Sequence, residues 1–252
     1  MDSQVQIDSI SPRAFLRWAG GKSWLVRRFE DIFGPISFTR YHEPFLGGGS
    51  FFFAAATNVV SYLSDKNEAL IETYQSIKDD CDSVIEQMRS YENTSDEYYR
   101  IRALKSEDRF ERAAQFVYLN QTSFNGIYRV NLKGVYNVPY GSRTKKFLDE
   151  NVIRSASKAL SVAVLQSKDF AETIGDVAAG DLVFIDPPYT VSHNNNGFIK
   201  YNKSLFSIDD QGSFRAIWIS NPGCVFASGN FASPASISIP ICDRWATPPI
   251  WL

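Results

Sequence analysis

The chain has 252 residues, 44% hydrophobic and 21% charged, which suits one large α/β domain or a domain with a sizeable insertion and excludes a disordered or fibrous protein. Three dispersed cysteines (Cys81, Cys224, Cys242) and two histidines (His42, His193) form neither a zinc pattern nor a disulfide framework, so no metal is expected. No apolar stretch approaches the roughly 20 residues that span a bilayer, and Met1 to Ile10 has no apolar signal core, so a cytoplasmic protein without a membrane partner is expected.

The first distinctive stretch is Phe15-Leu16-Arg17-Trp18-Ala19-Gly20-Gly21-Lys22-Ser23. Gly-Gly beside Lys-Ser suggests a phosphate loop, but the first glycine of that pattern, separated by four residues from the final Gly-Lys pair, would fall at Leu16. What remains is a Gly-Gly turn between an aromatic and a cation, opening a helix through Leu25-Val26 to Ile32-Phe33. Tyr41-His42-Glu43-Pro44-Phe45-Leu46-Gly47-Gly48-Gly49-Ser50 then reads as a strand running into glycines, with a helix starting at Phe51. Glycines let a ligand approach the backbone, and a helix N-terminus favours negative groups. The dinucleotide fingerprint would need a third glycine at position 52, which is Phe, so hydride transfer is not expected.

Val59-Val60-Ser61-Tyr62-Leu63-Ser64 reads as a second strand, ending at Asp65, 22 residues after Glu43. An acid there is placed to hold the two hydroxyls of a ribose. It is equally placed to cap the helix that begins near Glu68. From Glu72 to about Ala114 the apolar spacing is helical, and Phe116 to Asn120 continues it. Asn120 to Gly141 interleaves Asn, Arg and aromatic residues, punctuated by Asn-Gly and Lys-Gly as in hairpins or tight loops. Those residue types read base edges and stack between bases, although a plain surface hairpin uses them too.

The net charge of −2 does not advertise a polyanion partner, but its distribution is uneven. Residues 95–160 hold twelve Lys/Arg against seven Asp/Glu, a local surplus of five that leaves the rest of the chain at −7. A basic region on an acidic body can grip a polyanion, and so can merely solvate helix faces. Lys105, Arg109, Lys133, Lys145 and Lys146 are candidate phosphate contacts.

Val162 to Leu165 reads as a third strand with Asp169 just beyond it, and Leu182-Val183-Phe184-Ile185 as a buried strand of a parallel sheet. Asp186-Pro187-Pro188-Tyr189 then falls at the carboxyl edge of the sheet, where open α/β sheets bind ligands. Two prolines remove two donors and leave carbonyls free to accept. Two acceptors beside a flat ring suit an aromatic base bearing an exocyclic NH2, such as adenine or cytosine. A proline turn with an Asp cap and a packed Tyr is the plain alternative. His193 to Gly197 reads as a polar loop, and Gly223 to Ser228 as a further strand.

Taken in order, Arg17-Trp18-Ala19-Gly20-Gly21-Lys22, Glu43 to Ser50, Asp65, the segment that follows and Asp186 to Tyr189 resemble the DNA adenine-N6 methyltransferases of the GATC-modifying, D12 type. The likeness covers roughly residues 13–210. It implies an α/β fold, a Rossmann-like S-adenosylmethionine-dependent methyltransferase sheet in residues 11–71 and 156–230. A mostly helical target-recognition region is inserted at 72–155, and residues 231–252 form an atypical tail. It implies S-adenosylmethionine as cofactor, held by Trp18, Lys22, Glu43, Gly47, Gly49, Asp65, Asp169 and Asp186. It also implies catalysis by Asp186, Pro187 and Tyr189, and contact with double-stranded DNA through Phe124, Asn125 and Arg129, by a monomer. The expected reaction is methyl transfer to N6 of a flipped adenine, within GATC.

The likeness fades after about Asp210, and Ser, Pro and Ala dominate from Asn221 onward. A sheet lacking its far-edge strands would expose an unpaired edge. The second reading is therefore a catalytically impaired DNA-binding remnant of such an enzyme. A third, methylation of cytosine N4 or a protein amide, fits less well, because those enzymes typically open the tetrapeptide with Asn or Ser.

Overall fold

The computed structural model describes residues 12–18, 38–131, 134–143, 146–187 and 225–228, the last segment and Ile174 by backbone alone. Five strands form one sheet: β1 (Arg40–Glu43), β2 (Val60–Asp65), β3 (Ala163–Ser167), β4 (Leu182–Ile185) and β5 (Val225–Ser228). Their order is β3-β2-β1-β4-β5, and every pairing is parallel. The chain steps outward from β1 through β2 to β3, then returns to place β4 on the other side of β1. That reversal puts a topological switch point between β1 and β4, where open parallel sheets leave a crevice at the carboxyl ends of their strands. All four residues of β4 are buried, as expected of a central parallel strand covered on both faces.

Parallel neighbours cannot be joined by a tight turn, so helices carry the crossovers. These are α1 (Ser50–Ala55), α2 (Glu68–Arg89), α3 (Ser95–Ala103), α4 (Arg109–Thr122), α5 (Glu150–Leu160) and α6 (Phe170–Thr173). Side-chain caps set the starts of four of them: Asn67, Thr94, Asp108 and Asp149 each accept from a backbone N–H of the first turn. Asn67, rather than Asp65, therefore caps α2, and Asp65 is left available for another task. The long helical stretch expected from Glu72 resolves into α2, α3 and α4. Within α2, Asp80 leaves helical geometry (φ −154°, ψ 85°), and its carboxylate accepts from Asp82 N and Ser83 N, restarting the helix.

One apolar core runs from the sheet into the helices. Phe51 of α1 stacks between Tyr41 and Phe184, with ring centroids 5.7 Å and 4.3 Å away. This sandwich fixes α1 over β1 and β4, so the turn before α1 has one position. Helix α2 packs on α4, α5 and β3. Residues 72 and 155, the expected edges of the insertion, fall inside α2 and α5. On the opposite sheet face, buried Asp181 accepts from Arg40 Nε at 3.0 Å and Nη2 at 2.6 Å, and its Oδ2 lies 3.0 Å from His42 Nε2. This clamp locks β1 to the start of β4. Among the described residues no helix is long and apolar enough to cross a membrane, and no cluster could hold a metal ion. The expected helix over Leu25–Phe33 and the tail from 231 lie outside the described residues.

Candidate active site

Strand register brings three acids to one margin. Tyr41 pairs with Ser61 and Leu182, and Glu43 with Leu63. Side chains two apart share a face, so Asp65 and Asp186 stand on the same face as Glu43, one pleat further along, on either side of β1. Neighbouring strands are about 4.8 Å apart, which places the three carboxyls around a common opening. Glu43 is 2% exposed. Its Oε2 accepts from Tyr41 Oη at 2.8 Å, and its carboxyl also accepts from the Phe52 N–H of α1. Burial pushes the Glu43 carboxyl up to about 8; these two bonds oppose the rise, while the charges of Asp186 and Asp65 add to it. Asp186 follows β4 directly, and Pro187 behind it is buried.

Between β1 and α1 the chain turns through Pro44 to Gly49. Gly47 and Gly49 adopt φ of +48° and +63°, where side chains are strained. Leu46 N donates to Ser64 O, Gly47 N donates to Asp65 Oδ2 at 3.0 Å, and Tyr74 Oη of α2 donates to Gly47 O at 3.0 Å. Asp65 Oδ1 accepts from Asn67 N at 2.9 Å. Burial raises the Asp65 carboxyl, and the N–H groups of Asn67, Gly47 and Lys66 restrain that rise. A carboxylate offers about four acceptor sites, so three backbone donors leave room for a ligand hydroxyl.

Trp18 lies against this turn. A Cβ on Gly47 would fall 2.7 Å from Trp18 Cδ1, and one on Gly48 would fall 2.9 Å from Trp18 Cβ. Two bonds to one side chain hold the segment carrying Trp18: Arg17 N donates to Asn120 Oδ1 at 2.8 Å, and Asn120 Nδ2 donates to Arg17 O at 2.7 Å. The indole stacks on Tyr128 (5.6 Å), which stacks in turn on Phe116 (5.0 Å).

Trp18, Gly47, Gly49, Glu43, Asp65 and Asp186 thus line one margin of the sheet. Asp169 follows β3 at the same carboxyl margin, beside the end of β2, where its carboxylate meets Lys66 Nζ at 3.2 Å and accepts from Ala171 N to start α6. Lys22, Pro188, Tyr189 and His193 lie outside the described residues, as do Lys133, Lys145, Cys224 and Cys242.

Residues 123–131 and 134–140 pair as an irregular hairpin through antiparallel bridges Ser123–Tyr140 and Val130–Tyr136. At its base, Phe124–Gly126 makes a single tight turn. Phe124 is 52% exposed there, and Asn125 is held at φ +56° beside it. Arg129 donates from Nε to Asn137 Oδ1 at 2.8 Å and from Nη2 to Asn137 O at 3.3 Å. The basic surplus of residues 95–160 is partly neutralised: Arg100, Arg109, Arg112 and Arg154 pair with Glu97, Asp79, Glu72 and Asp82. Arg109 is thereby committed to Asp79, whereas Lys105 is exposed and Lys146 lines a cleft with Arg13, Arg17 and Arg143.

Four contributors went unrecognised in the sequence: Tyr41, Tyr74, Asn120 and Tyr128. Only Tyr41 carried a signal, its two-residue spacing from Glu43 on a strand. The other three act across 27, 103 and 110 positions.

The family model of D12 class N6 adenine-specific DNA methyltransferases matches residues 18–220. The type II methyltransferase M1.LlaDCHI of Lactococcus lactis subsp. cremoris is 32% identical over 244 residues, covering 91% of this chain and 85% of that protein. The type II methyltransferase M.MjaIII of Methanocaldococcus jannaschii is 35% identical over 223 residues, covering 79% and 76%. The DNA adenine methylase of Escherichia coli K12 is 32% identical over 213 residues, covering 81% and 75%. With the parallel sheet, its switch point and the acids gathered there, these matches place the chain in the D12 class of N6 adenine-specific DNA methyltransferases.

Proposed function

We propose that the cleft between β1 and β4 binds S-adenosylmethionine and methylates N6 of an adenine in duplex DNA, within GATC. The observation that carries this reading is the gathering of Glu43, Asp65 and Asp186 beside a glycine turn closed by Trp18. Glycines at 47 and 48 give a flat backbone floor, Trp18 a flat wall and Asp65 an acceptor for hydroxyls, while the acids favour a cationic ligand. Those features fit a nucleoside bearing a sulfonium. Bound there, the cofactor would supply an electrophilic methyl group.

The target base has to leave the duplex stack, because its amine is unreachable inside it. The Asp186 carboxylate and the Pro187 carbonyl then accept the two N6 hydrogens. This orients the nitrogen lone pair and stabilises the positive charge that grows on N6. Tyr189 stacks on the extruded base. Phe124, exposed on its turn, fills the space the base vacates, and Asn125 and Arg129 read the neighbouring pairs. Residues 72–155 serve as the target-recognition region, and the Trp18–Tyr128 stack joins that region to the cofactor wall.

The test is incubation with methyl-labelled S-adenosylmethionine and matched duplexes with and without GATC, followed by digestion to nucleosides. Label in N6-methyladenine from the GATC duplex alone supports the reading. Label on cytosine, or equal labelling of both duplexes, overturns the assigned target. Cofactor binding without any label marks the chain as a DNA-binding remnant.

A further inference from the structure

Glu43 is the least expected of the three acids. It lies at the end of a central strand and is almost fully covered, with Tyr41 Oη and the Phe52 N–H as its hydrogen-bond donors. The titratable groups facing it come from each element packed around it: Tyr41 on β1, Asp65 on β2, Asp186 after β4 and Tyr74 on α2. Three carboxylates at one opening cannot all remain charged cheaply, because like charges disfavour one another's ionisation and burial disfavours it for Glu43 and Asp65. Asp65 has three backbone donors to stabilise its charge. Glu43 has one backbone donor and one phenol, so of these two it is the acid on which a proton is better kept.

We propose that Glu43 holds a proton in the empty cleft and gives it up to solvent when the cationic cofactor enters, so that capture of S-adenosylmethionine is a proton-releasing step. This rests on the reading of the cleft as a cofactor site. The incoming positive charge does for the Glu43 carboxylate what water would do at the surface. Glu43 therefore acts as a positioning counter-charge: below about pH 8 it acquires its charge only when there is a cation to hold.

The consequence is directional. Burial holds Glu43 near 8, above the ordinary carboxylate range. Below that value each unit of rising pH removes one competing proton, so affinity strengthens by about tenfold per unit and levels off above it. At neutral pH close to one proton is released per cofactor bound.

The experiment is calorimetric titration of the full chain with S-adenosylmethionine from pH 6 to 9, in buffers of differing ionisation enthalpy, for wild type, Glu43→Gln and Tyr41→Phe. Gln mimics the protonated carboxyl in shape and keeps an acceptor for Tyr41. Expected are close to one proton released by wild type at pH 7, far less by Glu43→Gln, and in that variant loss of the roughly tenfold-per-unit rise in affinity between pH 6 and 7. Tyr41→Phe removes a bond that favours the charged form, so its plateau shifts to higher pH. Binding without proton release in wild type, or the same release in Glu43→Gln, overturns the proposal while leaving the cofactor assignment standing. If no S-adenosylmethionine binds wild type at any pH, the cofactor assignment itself falls, and this inference with it.

Discussion

Gly47 N–H donates to Asp65 Oδ2 at 3.0 Å, tying the turn that follows β1 to the end of β2. The bond preorganises both partners: the turn cannot swing away from the acid, and the acid cannot rotate out of the cleft. It also requires glycine, because the turn holds φ +48° and faces Trp18 at close range. Gly47→Ala should cost about 1–2 kcal/mol in backbone strain alone and push the indole aside. A fall of several degrees in melting temperature is expected, with at least about tenfold weaker cofactor binding, one factor of ten being about 1.4 kcal/mol. Calorimetry on the purified variant checks both.

The Trp18–Tyr128 stack links the wall of the proposed cofactor cleft to the hairpin that carries Phe124, Asn125 and Arg129. Aromatic pairs contribute about 0.5–1.5 kcal/mol beyond burial. A double-mutant cycle on Trp18→Leu and Tyr128→Leu should return a coupling of that size in cofactor affinity. Strict additivity of the two changes would show that the rings touch without cooperating.

Arg129 reaches its place through Asn137, which receives two of its donors. Arg129→Ala should cost about 1–3 kcal/mol and relax discrimination at one base pair. Asn137→Ala should do the same more weakly, by leaving the guanidinium unheld. Methylation rates on duplexes with single substitutions in the site measure this. A uniform loss on every sequence would instead assign Arg129 to the phosphate backbone.

The clamp behind the sheet sets a pH response of the fold. Burial works against the charge of Asp181, but the Arg40, Ala178 N–H and His42 bonds outweigh it and hold the carboxyl below its ordinary range. An acid depressed in this way stabilises the fold above its unfolded value near 3.9, and that stability is lost as pH falls through the folded value. Burial also lowers His42, against the pull of Asp181, so the unfolded chain takes up that proton first and stability falls as pH drops below about 6.5. Asp181→Asn should therefore destabilise at pH 7 by about 3 kcal/mol, the low end for a broken buried pair, because Arg40 is one-third exposed. The penalty should shrink toward pH 3, as measured by urea unfolding at several pH values.

Much of the sheet was legible from short apolar runs ending in an acid, because parallel strands buried on both faces leave a plain hydrophobic signature. Val225–Ser228 pairs beside β4, as its apolar run suggested. Asp65 was legible as an acid at a strand end but not as distinct from a cap, since both roles use the same residue type at the same place. The structure separates them by giving the cap to Asn67. Asn120 and Tyr128 were invisible, because their contacts with Arg17 and Trp18 form only when the N-terminal segment lies across α4. Arg109 looked available for phosphate because sequence does not show that Asp79, 30 residues earlier on α2, occupies it.

The most direct measurement is single-turnover methyl transfer by Asp186→Ala, with cofactor affinity and DNA affinity determined on the same preparation. The account predicts transfer slowed by at least about 10²–10³-fold, the loss expected on removing one preorganised group at a developing charge, with DNA binding retained. Turnover near the wild-type rate would contradict it, since no other described acid lies where β4 delivers its carboxyl end.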